Sequence, residues 1–250
     1  FFKPVLKLIF KLVGDVILRE EPYAAVLESV FRVNHCAHCL RKTPTPIPCY
    51  ECATEAACSP QYILNTQCSQ VQYCTETCRD LSWLEYHSVE CGVLSYLEQA
   101  GVLDACLTLL LGKQLFQIST LYQNIYSRIV TKTGLQSLIR HTQTPLPTRD
   151  QVDPGLFDPT SYRSVHNLAA NTDKRTFEDL LKKTAEAIFM AKCLKFNGFF
   201  GNPSSPTPES QQAEIFISSL LLRHLQVAAT NGLEMAECIL KNNDITKFDI

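Results

Sequence analysis

The sequence predicts a mostly α protein with a short β opening and a small metal-organised module between the two. Three observations predict it: cysteines crowded into one stretch as close pairs, long apolar runs on a helical rhythm after Cys91, and a short apolar opening broken at Glu21-Pro22. In the opening, Gly14 to Leu27 reads as two short strands around that break, because proline lacks a backbone donor and ends the first of them. The apolar start from Pro4 to Val13 is interrupted by Lys7 and Lys11 and has no small-residue cleavage site. It is therefore not read as a secretory signal, and a reducing, intracellular setting is expected.

Of the 12 cysteines, nine lie between Cys36 and Cys91, arranged as Cys36-x2-Cys39, Cys49-x2-Cys52, Cys74-x3-Cys78 and His87-x3-Cys91. Zinc takes four thiolate or imidazole ligands in a tetrahedron, and ligands two or three residues apart grip one ion from a single turn without straining the backbone. Four such pairs make two complete sites. Disulfides need an oxidising compartment, so zinc is the reading preferred. His87 and Cys91 are four residues apart, which puts both on one face of a helix expected to begin near Asp80.

After Cys91 the character changes. Val93 to about Val130 is rich in Leu, Ile and aromatic residues at helical spacing and suggests two packed helices. Thr176 to Lys195 is a third, with Thr176 as cap, Glu178 and Asp179 in the first turn, and Phe177, Leu180, Leu181, Ile188 and Phe189 lining the side expected to face the core. A fourth opens at Thr207-Pro208-Glu209 and runs through Ile217, Leu220, Leu221 and Leu225 to Asn231-Gly232. Thr142 to Pro159 and Gly198 to Pro208 read as surface loops. His141 and His166 each stand among uncharged residues, so surface or hydrogen-bonding roles are expected of them.

With 23 Lys and Arg against 25 Asp and Glu, the net charge is -2, and no strong field draws the chain to phosphate backbones. No stretch reaches the roughly 18 uninterrupted apolar residues of a membrane helix. At 250 residues, one larger domain plus a zinc module is the natural count. The chain begins with Phe and is expected to be a piece of something longer.

The cysteine pattern resembles the MYND zinc finger, in which two sites interleave. That resemblance implies one all-thiolate site of Cys36, Cys39, Cys74 and Cys78, and a second of Cys49, Cys52, His87 and Cys91. The chain departs from the family between Cys52 and Tyr73, where the spacing is much longer. Deleting Ala53 to Cys68 would restore the ordinary text, so Cys68 rivals Cys52 for one ligand position; Cys52 is favoured because it keeps the tight pair with Cys49. Cys58 is read as a loop cysteine without a ligand role. The strands ahead of the finger look like the opening of a SET domain, and that order resembles the SET-and-MYND family of protein-lysine methyltransferases. The expected divisions are 1-33 for the opening strands, 34-92 for the finger with an inserted loop at about 53-68, and 93-250 for a helical region similar to the family's SET-I insert. Tyr162-Arg163-Ser164-Val165-His166-Asn167-Leu168 and Phe177-Glu178-Asp179-Leu180-Leu181 resemble the fourth, arthropod-expanded subtype, as does Trp83-x3-His87 in place of the family's commoner Trp-x2-His.

The resemblance implies methyl transfer from S-adenosylmethionine to a lysine amine in the complete parent protein. In that family the cofactor pocket uses a glycine-rich stretch before the first strands, an Asn-His-Ser-Cys motif, and a tyrosine followed by a cysteine-rich segment. None of these occurs in the 250 residues. The catalytic SET core and post-SET segment are thus expected to lie outside this chain, and no catalytic or cofactor-binding residue is assigned. The alternative is a zinc-dependent adaptor that binds proline-rich peptides. Cytoplasm or nucleus is the expected location.

Overall fold

The computed structural model describes residues 22–28, 31–51, 71–100, 136, 139–140 and 162–233. Strand β1 (Ile47–Pro48) pairs antiparallel with β2 (Gln72–Tyr73), Ile47 opposite Tyr73. Helix α1 (Glu76–Ser82) leads into a π-helical turn (Trp83–His87), and α2 (Ser88–Gln99) follows. Three helices complete the described chain: α3 (Tyr162–His166), α4 (Phe177–Phe196) and α5 (Pro208–Asn231).

Local chemistry explains the helix starts. Thr75, Thr176 and Thr207 each accept a backbone N–H from the residue three further on, and Ser210 returns a bond to Thr207 N–H to close a capping box with Pro208 in the first turn. The finger helix therefore begins at Glu76 and not near Asp80, because Thr75 supplies the cap. At the far end of α4, Gly198 takes φ 79° while Phe199 N–H reaches Leu194 O and Gly198 N–H reaches Lys195 O. This left-handed stop suits a residue without Cβ.

Helices α4 and α5 form an antiparallel hairpin: Lys192 and Lys195 at the end of α4 meet Glu214 near the start of α5, while Arg175 ahead of α4 bonds Gln226 O and Thr230 near the end of α5. Their shared core holds Ala187, Met190, Ala191 and Leu194 from α4 and Ala213, Ile217, Leu220, Leu221 and Leu225 from α5, with Val93 and Leu97 of α2 and Tyr162 of α3 packed in. The α5 residues face inward as expected. The α4 face is a correction: Phe177 is 73% exposed and Leu181 58%, with Ile188 and Phe189 also outside. Ala187 and Ala191 line the contact instead, and small side chains there let the two helices approach closely.

Helix α2 belongs to two cores at once. Cys91 and Leu94 pack with Cys36, Cys49, Val71 and Tyr73 of the finger, while Val93 and Leu97 face the helical hairpin. Tyr23 to Leu27, expected as a strand, has no ladder partner among the described residues, and Tyr23 and Ala24 pack against helix residues Val165 and Val227 instead. A strand needs an adjacent edge to bond with, and the one sheet described here lies inside the finger. Residues 14–21, the second expected helix up to Val130, His141, and the Thr142 to Pro159 loop lie outside the described residues. His166 is half-buried, with Nδ1 3.4 Å from Tyr162 Oη, in keeping with a hydrogen-bonding role.

Candidate metal centre

Cys36 and Cys39 sit on a tight knuckle in which Leu40 N–H bonds Cys36 O and Cys36 N–H bonds Arg41 O, each at 2.8 Å. Turning the chain this sharply puts Leu40 at φ 62°. Ala37 N–H then bonds Gln72 O at 2.8 Å, which holds the knuckle against the corner where β2 passes into α1. Cys74 follows β2, and Cys78 is fixed by its own N–H donating to Thr75 Oγ1. The four sulfurs converge, all within 4.8 Å of one another. Cys39 and Cys74 are 3.6 Å apart, as are Cys74 and Cys78.

Those separations test the fit to zinc. A Zn–S bond of about 2.3 Å in a tetrahedron gives a sulfur-to-sulfur edge of about 3.8 Å, close to what the side chains adopt. Burial alone would raise the Cys36 thiol, but backbone hydrogen bonds from Cys39, Cys74 and His38 outweigh it and hold that group below its usual range. Burial pushes Cys39, Cys74 and Cys78 up. Zinc is held by thiolates, so an ion bound here would displace the protons these groups carry.

The second group is Cys49, His87 and Cys91, all buried, with their ligand atoms likewise within 4.8 Å. Cys49 follows β1, His87 closes the π-helical turn, and Cys91 lies one turn on in α2. The Cys49 and Cys91 sulfurs are 3.7 Å apart, again a tetrahedral edge. Tyr73 and Trp83 present their rings edge-to-face to the His87 imidazole at 6.1 and 6.0 Å between centroids. Tyr73 is itself anchored by a 3.0 Å hydrogen bond to Ser82 Oγ. Burial acts to lower the His87 imidazole, but hydrogen bonds with Cys49, Cys91 and Glu90 raise it well above the ordinary value. Cys52, Cys58 and Cys68 lie outside the described residues.

The seven described candidate ligands converge in the interleaved order, the first pair with the third and Cys49 with the fourth. Four protein ligands would leave zinc no open coordination position, so the chemistry it supplies in such a site is structural. Sequence reasoning missed two participants. Glu90 Oε2 lies 3.4 Å from His87 Nδ1 and is buried with it; the signal was its position three residues on, where helical side chains meet. The π-helical turn was the other, and the unusual Trp83-x3-His87 spacing was its trace.

Comparison with known proteins follows the same lines. The MYND finger family matches residues 64–91, a span that takes in Cys68, Cys74, Cys78, His87 and Cys91. The chain is similar to a protein-lysine N-methyltransferase SMYD4 of Gallus gallus, 27% identical over 216 residues, covering 80% of this chain and 26% of that protein. It is similar also to the SMYD4 of Danio rerio, 29% identical over 36% of this chain and 12% of the relative. A SET and MYND domain-containing protein of Dictyostelium discoideum is 29% identical over 32% of this chain and 5% of its own length. The chain therefore matches about a quarter or less of each relative. No solved structure matches it. These findings support a MYND zinc finger within the chain, and the cysteine-rich clusters support zinc binding. With the relatives, they support a protein of the SET-and-MYND family. Among the described residues, no helix is long and apolar enough to cross a membrane.

Proposed function

We propose that this chain is the finger-bearing and helical part of a SET-and-MYND protein-lysine N-methyltransferase, with two zinc ions in the finger and S-adenosylmethionine used by the complete parent protein. The observation that carries the zinc assignment is the convergence of Cys36, Cys39, Cys74 and Cys78 at tetrahedral spacing from segments far apart in the chain. Cys49, Cys52, His87 and Cys91 form the second site, Cys52 completing a tight pair with Cys49. The divisions 1-33, 34-92 and 93-250 describe opening strands, finger and SET-I-like helices. The similarity to SMYD4 proteins supports the activity of the parent, exercised on protein substrates in cytoplasm or nucleus.

A second reading is a zinc-dependent adaptor for proline-rich peptides. It is favoured by exposed Tyr50 beside half-buried Trp83 on the finger, the two rings edge-to-face at 6.4 Å, a surface that suits an extended, pre-ordered segment. The two readings part on one experiment. Metal analysis of the purified chain is expected to give two zinc ions per molecule in either case, and one or three would overturn the assignment. Label transfer from S-adenosylmethionine to lysine, absent from the chain alone and regained when downstream SET sequence is joined to it, supports the methyltransferase. Continued inactivity of the joined protein, with peptide binding retained, favours the adaptor.

A further inference from the structure

His87 leaves one nitrogen to be accounted for. Its Nδ1 lies 3.4 Å from Glu90 Oε2, and both side chains are nearly inaccessible, 1% and 7% exposed. A carboxylate that deep is costly unless it is paired or hydrogen-bonded. Arg32, Tyr86, His87 and Glu90 line one small hollow between the 22–28 segment and the finger, and Glu90 is not among the converging ligand atoms of the second cysteine–histidine group.

We propose that Glu90 is the positioning residue of the second zinc site: its carboxylate accepts a hydrogen bond from His87 Nδ1–H, which orients the ring and leaves Nε2 as the atom offered to the cation beside Cys49 and Cys91. This rests on the reading of that group as a zinc site. The physical reason is general. An imidazole ligates through one nitrogen only when the proton is on the other, and an acceptor behind the ring fixes both the tautomer and the ring's rotation. The helix supplies the arrangement at no extra cost in chain, since residues three apart share a face. Ser88 N–H bonding Trp83 O, the wide turn's signature, sets where that face points.

The test uses the whole chain, loaded with zinc and separately with cobalt, in wild type, Glu90→Gln and Glu90→Ala. Chelator competition reads affinity, the cobalt spectrum reads the ligand field, and two-bond proton–nitrogen correlation reads which His87 nitrogen carries hydrogen. Wild type is expected to show Nδ1–H. Glu90→Ala should weaken zinc at the second site by about 10- to 100-fold and alter the cobalt bands of that site alone. Glu90→Gln, whose amide oxygen still accepts, should keep the tautomer and lose only a few-fold, while the His87 Nδ1–H resonance shifts because its acceptor has become neutral. Should Glu90→Ala fail to fold, that shift in Glu90→Gln decides the matter. Unchanged affinity and cobalt spectrum in Glu90→Ala, hydrogen on Nε2 in wild type, or an unmoved resonance in Glu90→Gln each overturn the role of Glu90. A wild type holding a single zinc overturns the site itself, a separate failure.

Discussion

Cys49 and Cys91 are 42 residues apart in the chain, and their sulfurs lie 3.7 Å apart in the fold. Cys39 and Cys74 do the same across 35 residues at 3.6 Å. The two closures cross, since Cys74 lies between Cys49 and Cys91. A cation at one site therefore constrains the segments that form the other. Closing a loop costs only slowly more as it lengthens, which is why a long insert after Cys52 is compatible with the pairing.

Breaking one site should loosen the finger without unfolding the helical hairpin. Cys36→Ser is expected to lower the zinc count from two to one, and His87→Ala to do so through the other site. Met190, Leu194, Ile217 and Leu221 pack on one another and involve no ligand, so helical ellipticity should persist while the finger becomes protease-sensitive. Loss of most ellipticity in either variant would contradict the separation of the two cores.

The insert offers a sharper test. With Cys52 as ligand, Cys68→Ser keeps two zinc ions and Cys52→Ser loses one. The finger family's match begins at residue 64 and so takes in Cys68, which makes the comparison worth performing on both. The opposite pattern would move the ligand to Cys68. Deletion of 53–68 should leave two ions bound, because Cys49 and Cys52 remain as a pair; Cys58→Ser should be silent.

One residue too many between Trp83 and His87 is absorbed by the π-helical turn. Removing exposed Leu84 should convert it to an ordinary α-helix and restore the shorter spacing, with both zinc sites retained. Inserting a residue there instead has no such relief and should cost the second zinc. Metal analysis of the two variants reads the result.

At the knuckle, Leu40 holds φ 62°, a conformation that costs a residue with Cβ roughly 1–2 kcal/mol. Leu40→Gly should keep zinc at the first site, the relieved strain offsetting the lost side chain. Leu40→Val puts a β-branched residue at positive φ and should release that zinc to a chelator sooner than wild type.

In the hairpin, burial would raise the Glu214 carboxyl, but Lys192 and Lys195 outweigh it and hold the group below its ordinary 4.5. A depressed folded value gives stability that is present above the unfolded value and is lost as pH falls through the folded one. Glu214→Gln should therefore cost about 1 kcal/mol at pH 7, and the gap from wild type should close as pH drops below 4.5. Urea unfolding of the two proteins followed at both pH values checks this; a gap that survives in acid would assign the loss to packing.

What the sequence by itself determined was everything carried by spacing and local chemistry. The close spacing of Cys36 and Cys39, of Cys74 and Cys78, and of His87 and Cys91, the threonines at 176 and 207, Pro208 in a first turn and the Asn231-Gly232 stop were readable because their partners lie within one turn of the chain. Tertiary structure decided the rest, for the reason that each question involved a distant partner. The apolar stripe of Phe177, Leu181 and Ile188 is a good helical face, yet α5 packs on the adjoining one of Ala187, Met190 and Leu194, since a helix's periodicity marks its faces without saying which neighbour arrives. Tyr23 to Leu27 has strand-like residues and no described edge to pair with. Glu90 stands three residues from His87 in the sequence, but that it is buried there was decided by the fold, because burial belongs to the packed chain and not to the residue.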